Sequence, residues 1–329
     1  MQTTADTSPP IRQERSLKEY VGVTLRGICM GASDIVPGVS GGTMAFILGI
    51  YEELIDSIRT VGRPEFIQAV LKFRIKEVFE ILNWKFLLAL ALGIFIAILT
   101  MAQTLEFLLV DYPVYLWSFF FGLVLSSVLL VSKRITEWNA VNIVALVVAT
   151  VAAFVLVGLV PTQTPNTWWF LMLSGAVASC ALILPGISGA FLLVLLGKYQ
   201  YILAAVNDRD LLSIIYVGIG AVLGLVSFAQ VLGWLFKQYH NVTVAALTGL
   251  MVGSLRKIWP WKEEVDWLKD AAGNFVINSD GHQIVIKELN ILPDVSTSTG
   301  LTELAIAVSL AVVGFTLIVV IERLANAQE

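Results

Sequence analysis

Asp34-Ile-Val-Pro-Gly-Val-Ser-Gly-Gly-Thr43 holds the side chains of this sequence best suited to chemistry, and it interrupts a long apolar run. Proline and glycine stop a helix, so the chain is expected to break at Pro37-Gly38 and restart at Ser40-Gly-Gly-Thr43. A helix start presents free N–H groups and about half a positive charge, which favours an anion. Gly38, Gly41 and Gly42 let an anion approach the backbone, and Ser40 and Thr43 add hydroxyl donors. Arg26 lies eight residues before Asp34. A guanidinium inside an apolar run needs a cavity and a partner, and its fork matches phosphate oxygens. Asp34 is placed to pair with Arg26, to cap the turn or to exchange a proton. A second interruption, Ile183-Leu-Pro-Gly-Ile-Ser-Gly-Ala190, offers Gly186, Ser188 and Gly189 without an Arg or an Asp. The two half-sites are therefore expected to be unequal. The same residues also suit a plain tight turn, with serine capping the helix and glycines permitting close packing.

What surrounds these motifs is a membrane. Of 329 residues, 57% are hydrophobic and only 14% charged, against roughly 25% charged in a soluble domain; mean hydropathy is +0.82. That excludes a water-soluble surface. Net charge −4 without a long basic tract gives no reason to expect nucleic acid. Cys29 and Cys180 sit in apolar runs and read as small buried hydrophobes. His240 and His282 have no metal-ligand spacing around them, so neither metal nor cofactor is expected. The polar first 16 residues, with Pro9-Pro10, read as a disordered tail without a cleavable leader pattern.

In bilayer hydrocarbon a broken helix is tolerated only where it is buried in protein or lines a wet cavity. Residues 17–51 and 168–205 each read as a re-entrant helical hairpin, because each arm falls short of the ~20 residues a span needs. Residues 52–85 form a mixed insert with an amphipathic interfacial helix expected over Pro64–Phe79. Spans are expected at Phe86–Val110, Val114–Val131 and Ala140–Val160, then at Leu211–Phe236, Val242–Leu255 and Glu303–Ile321. Trp168-Trp169, Tyr51 and Tyr199 read as interface anchors, and Lys198 as a charge at headgroup level. The polar loop 259–299 contains a β-hairpin pattern, Asn274–Ile277 and Gln283–Ile286 around Asn278-Ser-Asp-Gly-His282.

The chain repeats itself. Residues 37–51 match 185–199 at seven of fifteen positions: Pro37/Pro185, Gly38/Gly186, Ser40/Ser188, Gly41/Gly189, Leu48/Leu196, Gly49/Gly197 and Tyr51/Tyr199. Further on, Gly93, Gln103 and Tyr112 match Gly220, Gln230 and Tyr239. The expected fold class is an all-α polytopic membrane protein of two repeats, 17–160 and 161–329, each a re-entrant hairpin plus three transmembrane helices. Three spans is an odd number, so the second repeat must be inverted. Lys/Arg distribution then puts both termini in the cytoplasm and the 259–299 loop outside. Paired breaks in inverted halves point to a substrate site near the midplane.

The run Arg26-Gly…Met30-Gly-Ala-Ser-Asp-Ile-Val-Pro-Gly-Val-Ser-Gly-Gly-Thr43…Gly49-Ile-Tyr-Glu52, with Leu184-Pro-Gly-Ile-Ser-Gly189…Gly197-Lys-Tyr199, resembles a bacterial membrane family. This is the polyprenyl-phosphate (undecaprenyl-phosphate) transporter family, PopT-like, formerly a domain of unknown function. The resemblance covers residues ~20 to 323 and implies a bacterial inner-membrane protein that returns undecaprenyl phosphate from the outer to the inner leaflet for cell-wall polymer synthesis. Its expected partners are a polyprenyl-phosphate lipid, the membrane, and protons or another coupling ion. Two other readings stand beside it: an ion-coupled small-anion transporter, which would use the same helix ends, and, behind it, a lipid-phosphate phosphatase. The phosphatase lacks a His or Cys nucleophile in a suitable setting.

Overall fold

The computed structural model describes residues 15–35, 40–162, 164–268, 275–277, 283 and 285–326. The tail at 1–14, Pro37-Gly38 and His282 lie outside the described residues.

The first apolar run forms α1 (Leu17–Ile35). After the break, α2 (Gly41–Ile47) turns at Gly49, φ +72, into α3 (Tyr51–Val61). The insert continues as α4 (Pro64–Leu71) and α5 (Ile75–Ile81). Three helices follow, α6 (Trp84–Asp111), α7 (Pro113–Ser132) and α8 (Ala140–Leu156). The second half repeats the order: α9 (Trp168–Ile183), α10 (Gly189–Leu195), α11 (Tyr199–Asn207), α12 (Leu211–Gln238) and α13 (His240–Ser254). Gly197, φ +64, makes the turn between α10 and α11, whose axes differ by 99°. Strands β1 (Lys262–Trp267) and β2 (Val285–Asn290) precede the last helix, α14 (Ser298–Asn326).

Among the described residues four helices, α6, α7, α12 and α14, are long and apolar enough to cross a membrane. The other two expected spans are shorter. The 17 residues of α8 and 15 of α13 rise about 25 and 22 Å, below a ~30 Å hydrocarbon core. Expected to reach Val160, α8 stops at Leu156 because Arg256 covers its end. The guanidinium lies against Gly158 and donates to the Phe154 carbonyl at 2.9 Å, a basic cap on last-turn carbonyls.

Two further expectations need correction. The interfacial helix Pro64–Phe79 is two helices, because Phe73 adopts φ +52. The turn is closed by Arg74 N–H to Ala69 O at 2.8 Å and Phe73 N–H to Val70 O at 3.0 Å. No glycine or proline announces that turn. The fold is also not wholly helical: β1 and β2 pair antiparallel, and an Ile277–Gln283 bridge brackets the predicted hairpin tip. The ladder is longer than the alternation suggested and starts at Lys262.

Helix pairing follows the internal repeat. α1 packs on α6 as α9 packs on α12, and α8 packs on α13 as α14 packs on α7. Exchanging each helix for its repeat counterpart maps this set of pairs onto itself. The counterparts Gly93 and Gly220 explain the close approach. A methyl at either would strike the partner helix's carbonyl, Thr24 on α1 or Met172 on α9, the small-residue contact by which helices associate in lipid.

Candidate functional site

The two breaks bind each other. A helix ends with carbonyls that have no partner within it, and buried orphans are costly. At the end of α9 these are satisfied from the first break. Ser40 Oγ donates to the Leu184 carbonyl at 3.1 Å, and Tyr51 OH donates to the Ile183 carbonyl at 2.8 Å. In return Thr43 Oγ1 accepts the Gly186 N–H at 2.8 Å. Gly186, φ +86, holds a left-handed turn closed to other residues. Ser40, Thr43 and Tyr51 are almost fully buried, at 2%, 1% and 1% exposure. Tyr51 is thus a core strut rather than an interface anchor. Tyr51→Phe is expected to cost about 1–3 kcal/mol, the penalty of an unpaired buried carbonyl, read as a lower Tm in detergent.

The start of α2 is already occupied. Gly41 N–H donates to Asp34 Oδ1 at 2.6 Å, and Gly42 N–H donates to Ser40 Oγ at 3.2 Å. A Cβ on Gly41 would collide with the Asp34 carboxylate. Asp34 is therefore the anion at this seven-residue helix start. At the second break Ser188 Oγ accepts the Phe191 N–H at 3.4 Å, capping α10, and Gly189 lies against the Ala178 carbonyl. Arg26 stands two turns before Asp34, roughly 12 Å along the helix. Among the described residues it has no ion-pair partner. Gly38 lies outside them.

Asp34 and Ser188 face a common cavity of about 450 Å³. Its apolar wall is Ile35 with the end of α8 and one face of α10, including Phe191 and Val194. Its polar wall comes from the end of α13 and the hairpin: Arg256, Lys257, Lys262, Lys287 and Glu288. Four cationic side chains thus face two carboxylates. Lys257 Nζ and Lys262 Nζ approach the same Glu288 Oε2, at 2.9 and 3.3 Å. Lys262 Nζ also sits 4.2 Å from the centre of the Trp117 ring and, among the described residues, has no well-aligned hydrogen-bond acceptor. Burial pulls the Lys262 ammonium down to about 8, partly opposed by Glu288. Burial pushes Glu288 up, but the charges of Lys262 and Lys257 outweigh it and hold the carboxyl below its ordinary value.

The loop cations escaped sequence reasoning, which weighed them only as topology signals. A clue was present in Lys257-Ile-Trp-Pro-Trp-Lys262, where two lysines bracket a rigid aromatic turn at a helix end. Lys198, read as a headgroup-level charge, is 1% exposed and donates to Thr164 O at 2.6 Å and Asn166 Oδ1 at 2.5 Å. Arg59 and Gln230 join α3 to α12 by two hydrogen bonds, of 2.8 and 2.7 Å. Among the described residues no group of His, Cys, Asp and Glu could hold a metal.

Several apolar helices around two mutually bonded breaks, beside a cationic and half-apolar cavity, define a multi-pass membrane protein with an internal polar site. Residues 30–276 match the model of the VCA0040-like, undecaprenyl phosphate translocase-like family, and the chain belongs to that family. It is 41% identical over 274 residues to a polyprenyl-phosphate transporter of Vibrio cholerae, covering 83% of this chain and 86% of the relative. A polyprenyl-phosphate transporter of Staphylococcus aureus is 28% identical over 255 residues, covering 72% and 85%. No solved structure matches the chain. The family is one of transporters, not of enzymes.

Proposed function

We propose that the chain carries a polyprenyl phosphate of the undecaprenyl class across the bacterial inner membrane, from outer to inner leaflet, for reuse in cell-wall polymer synthesis. The observation that carries this reading is the cavity between the breaks and the hairpin: a phosphate head suits its cationic wall, and a polyprenyl tail suits its apolar wall. The names of the family and of the relatives give the same substrate class.

In this reading the halves are inverted, each entering the bilayer as a hairpin from its own side, with both termini cytoplasmic. The self-mapping helix pairs support a two-fold relation. Ser40, Gly41, Gly42, Thr43, Gly186 and Gly189 build the junction past which the head moves. Asp34 and Ser188 touch it from the cavity, and Arg26 takes its charge on the far side of the break. Protons or another ion drive the step through Asp34.

Reconstitution into vesicles tests the proposal. Purified protein is expected to move undecaprenyl phosphate between leaflets, and Arg26→Ala to slow it at least tenfold without unfolding. Absence of lipid movement alongside uptake of inorganic phosphate would instead establish a small-anion carrier. An Arg26→Ala protein of wild-type rate would remove Arg26 from the path.

A further inference from the structure

We propose that Lys257 and Lys262, with Arg256 beside them, are the receiving site for a phosphomonoester dianion on the hairpin side of the cavity. Glu288 is the built-in carboxylate that the incoming phosphate displaces. The lipid identity of the ligand rests on the transport reading above; the anion chemistry does not.

Charge count is the first support. Two ammonium groups converge on one carboxylate oxygen, at 2.9 and 3.3 Å, so a monoanion answers two cations. A phosphomonoester carries nearly two negative charges at neutral pH and three acceptor oxygens, and it can serve both lysines at once. Unmet donor capacity is the second. Among the described residues, Lys262 Nζ is buried with no well-aligned acceptor, its Glu288 Oε2 neighbour standing 3.3 Å away, although buried donors are almost always satisfied. Aromatic rings restrict where an acceptor can come from. Trp117 lies 4.2 Å from Lys262 Nζ and Phe191 lies 5.7 Å from Lys257 Nζ. The remaining approach is the cavity that both lysines line.

The site is assembled, not local. Lys257 comes from the end of α13, Lys262 from β1 and Glu288 from β2. They meet because the hairpin is fastened down. Asn290 Nδ2 donates to the Arg256 carbonyl at 2.8 Å, Trp259 Nε1 to Ile291 O at 2.9 Å, and Trp261 Nε1 to Glu303 Oε1 at 3.0 Å. The loop is thereby a wall of the site rather than a tether between helices.

The pH profile follows from the facing groups among the described residues, which are Lys257, Lys262, Arg256, Lys287, Glu288, Asp34 and the Tyr199 phenol. Affinity should rise as the phosphate completes its second ionisation near pH 6. It should fall above about pH 8 as Lys262 loses its proton.

The test is binding of farnesyl phosphate, farnesol and inorganic phosphate to the full chain in nanodiscs. Farnesyl phosphate is expected to bind and farnesol not. Lys257→Met and Lys262→Met should each weaken phosphate binding about tenfold, the scale of a charge-assisted contact. Glu288→Gln should tighten it several-fold by releasing both lysines. Lys262→Met should also lose the alkaline limb of the profile without a lower Tm, since it removes a charge that burial disfavours. Unchanged affinity in both lysine variants, or weaker binding in Glu288→Gln, would overturn the site. If lipid transport persists in that case, the transport reading stands alone. Lysine-dependent binding of inorganic phosphate without any preference for farnesyl phosphate would keep the anion site and overturn the lipid reading.

Discussion

Gly42→Val is expected to abolish transport and to lower Tm by on the order of 10 °C. A Cβ at this position would lie 2.9 Å from the Ile183 carbonyl and 3.1 Å from the Leu182 carbonyl. Both atoms are backbone, so neither can swing aside, and the branches of valine enlarge the clash. The start of α2 must retreat from the end of α9. Retreat breaks Ser40 to Leu184, Gly186 to Thr43 and Tyr51 to Ile183 together. Each such bond contributes about 1 kcal/mol net and costs more when a buried group is stranded, so the loss is about 3 kcal/mol or more. At roughly 2–4 °C per kcal/mol for a chain of a few hundred residues, that is the stated shift. Gly49→Val is the informative contrast: nothing lies within 4 Å of its Cβ, and only φ +72 opposes the substitution. Thermal melts of the two variants separate junction geometry from turn strain. Equal shifts would argue against the junction as the point where the halves are locked.

Asp34→Asn is expected to leave the fold intact and to cut gradient-driven transport at least tenfold. The amide oxygen of asparagine can still accept the Gly41 N–H, held at 2.6 Å in the native protein. What is lost is the difference between a charged and a neutral acceptor, about 1 kcal/mol. The functional change is larger because, among the described residues, Asp34 is one of two carboxylates facing four cations in the cavity. Without its charge a phosphate is held more tightly and leaves more slowly. In the proposed mechanism Asp34 also exchanges the driving proton, so the variant should no longer respond to a pH gradient across the vesicle. Transport assays at equal and unequal internal pH check both effects. Wild-type gradient dependence in Asp34→Asn would assign coupling elsewhere.

Most membrane elements were legible before any coordinates. Long apolar runs bounded by Asp111-Tyr-Pro113 or Lys133-Arg134 mark α6 and α7 to within a few residues, because transfer into lipid depends on composition averaged over a span. Pro and Gly marked both breaks for the same local reason. Legibility failed where a neighbour decides the outcome. α8 ends at Leu156 because Arg256, 102 residues away from Phe154, takes its carbonyl. Phe73 adopts a left-handed turn with no residue type to announce it. Lys198 is buried by rings and carbonyls that its own neighbours in sequence do not reveal.

The sequence by itself determined that this chain lives in a membrane, that it breaks twice at related motifs, and that Ser40, Thr43 and Asp34 belong to the first break. Those features depend on residue type and short spacing. Only the tertiary structure decided what the hydroxyls hold. Ser40, Thr43 and Tyr51 reach partners 144, 143 and 132 residues away, bonding the first break to the second. It also decided that the cations of a polar loop form the wall of a cavity, since Lys257, Lys262 and Glu288 share one site only when the hairpin folds onto the end of α13. Hydrogen-bond partners and charge clusters are set by distance in space, and distance along the chain carries little of that information.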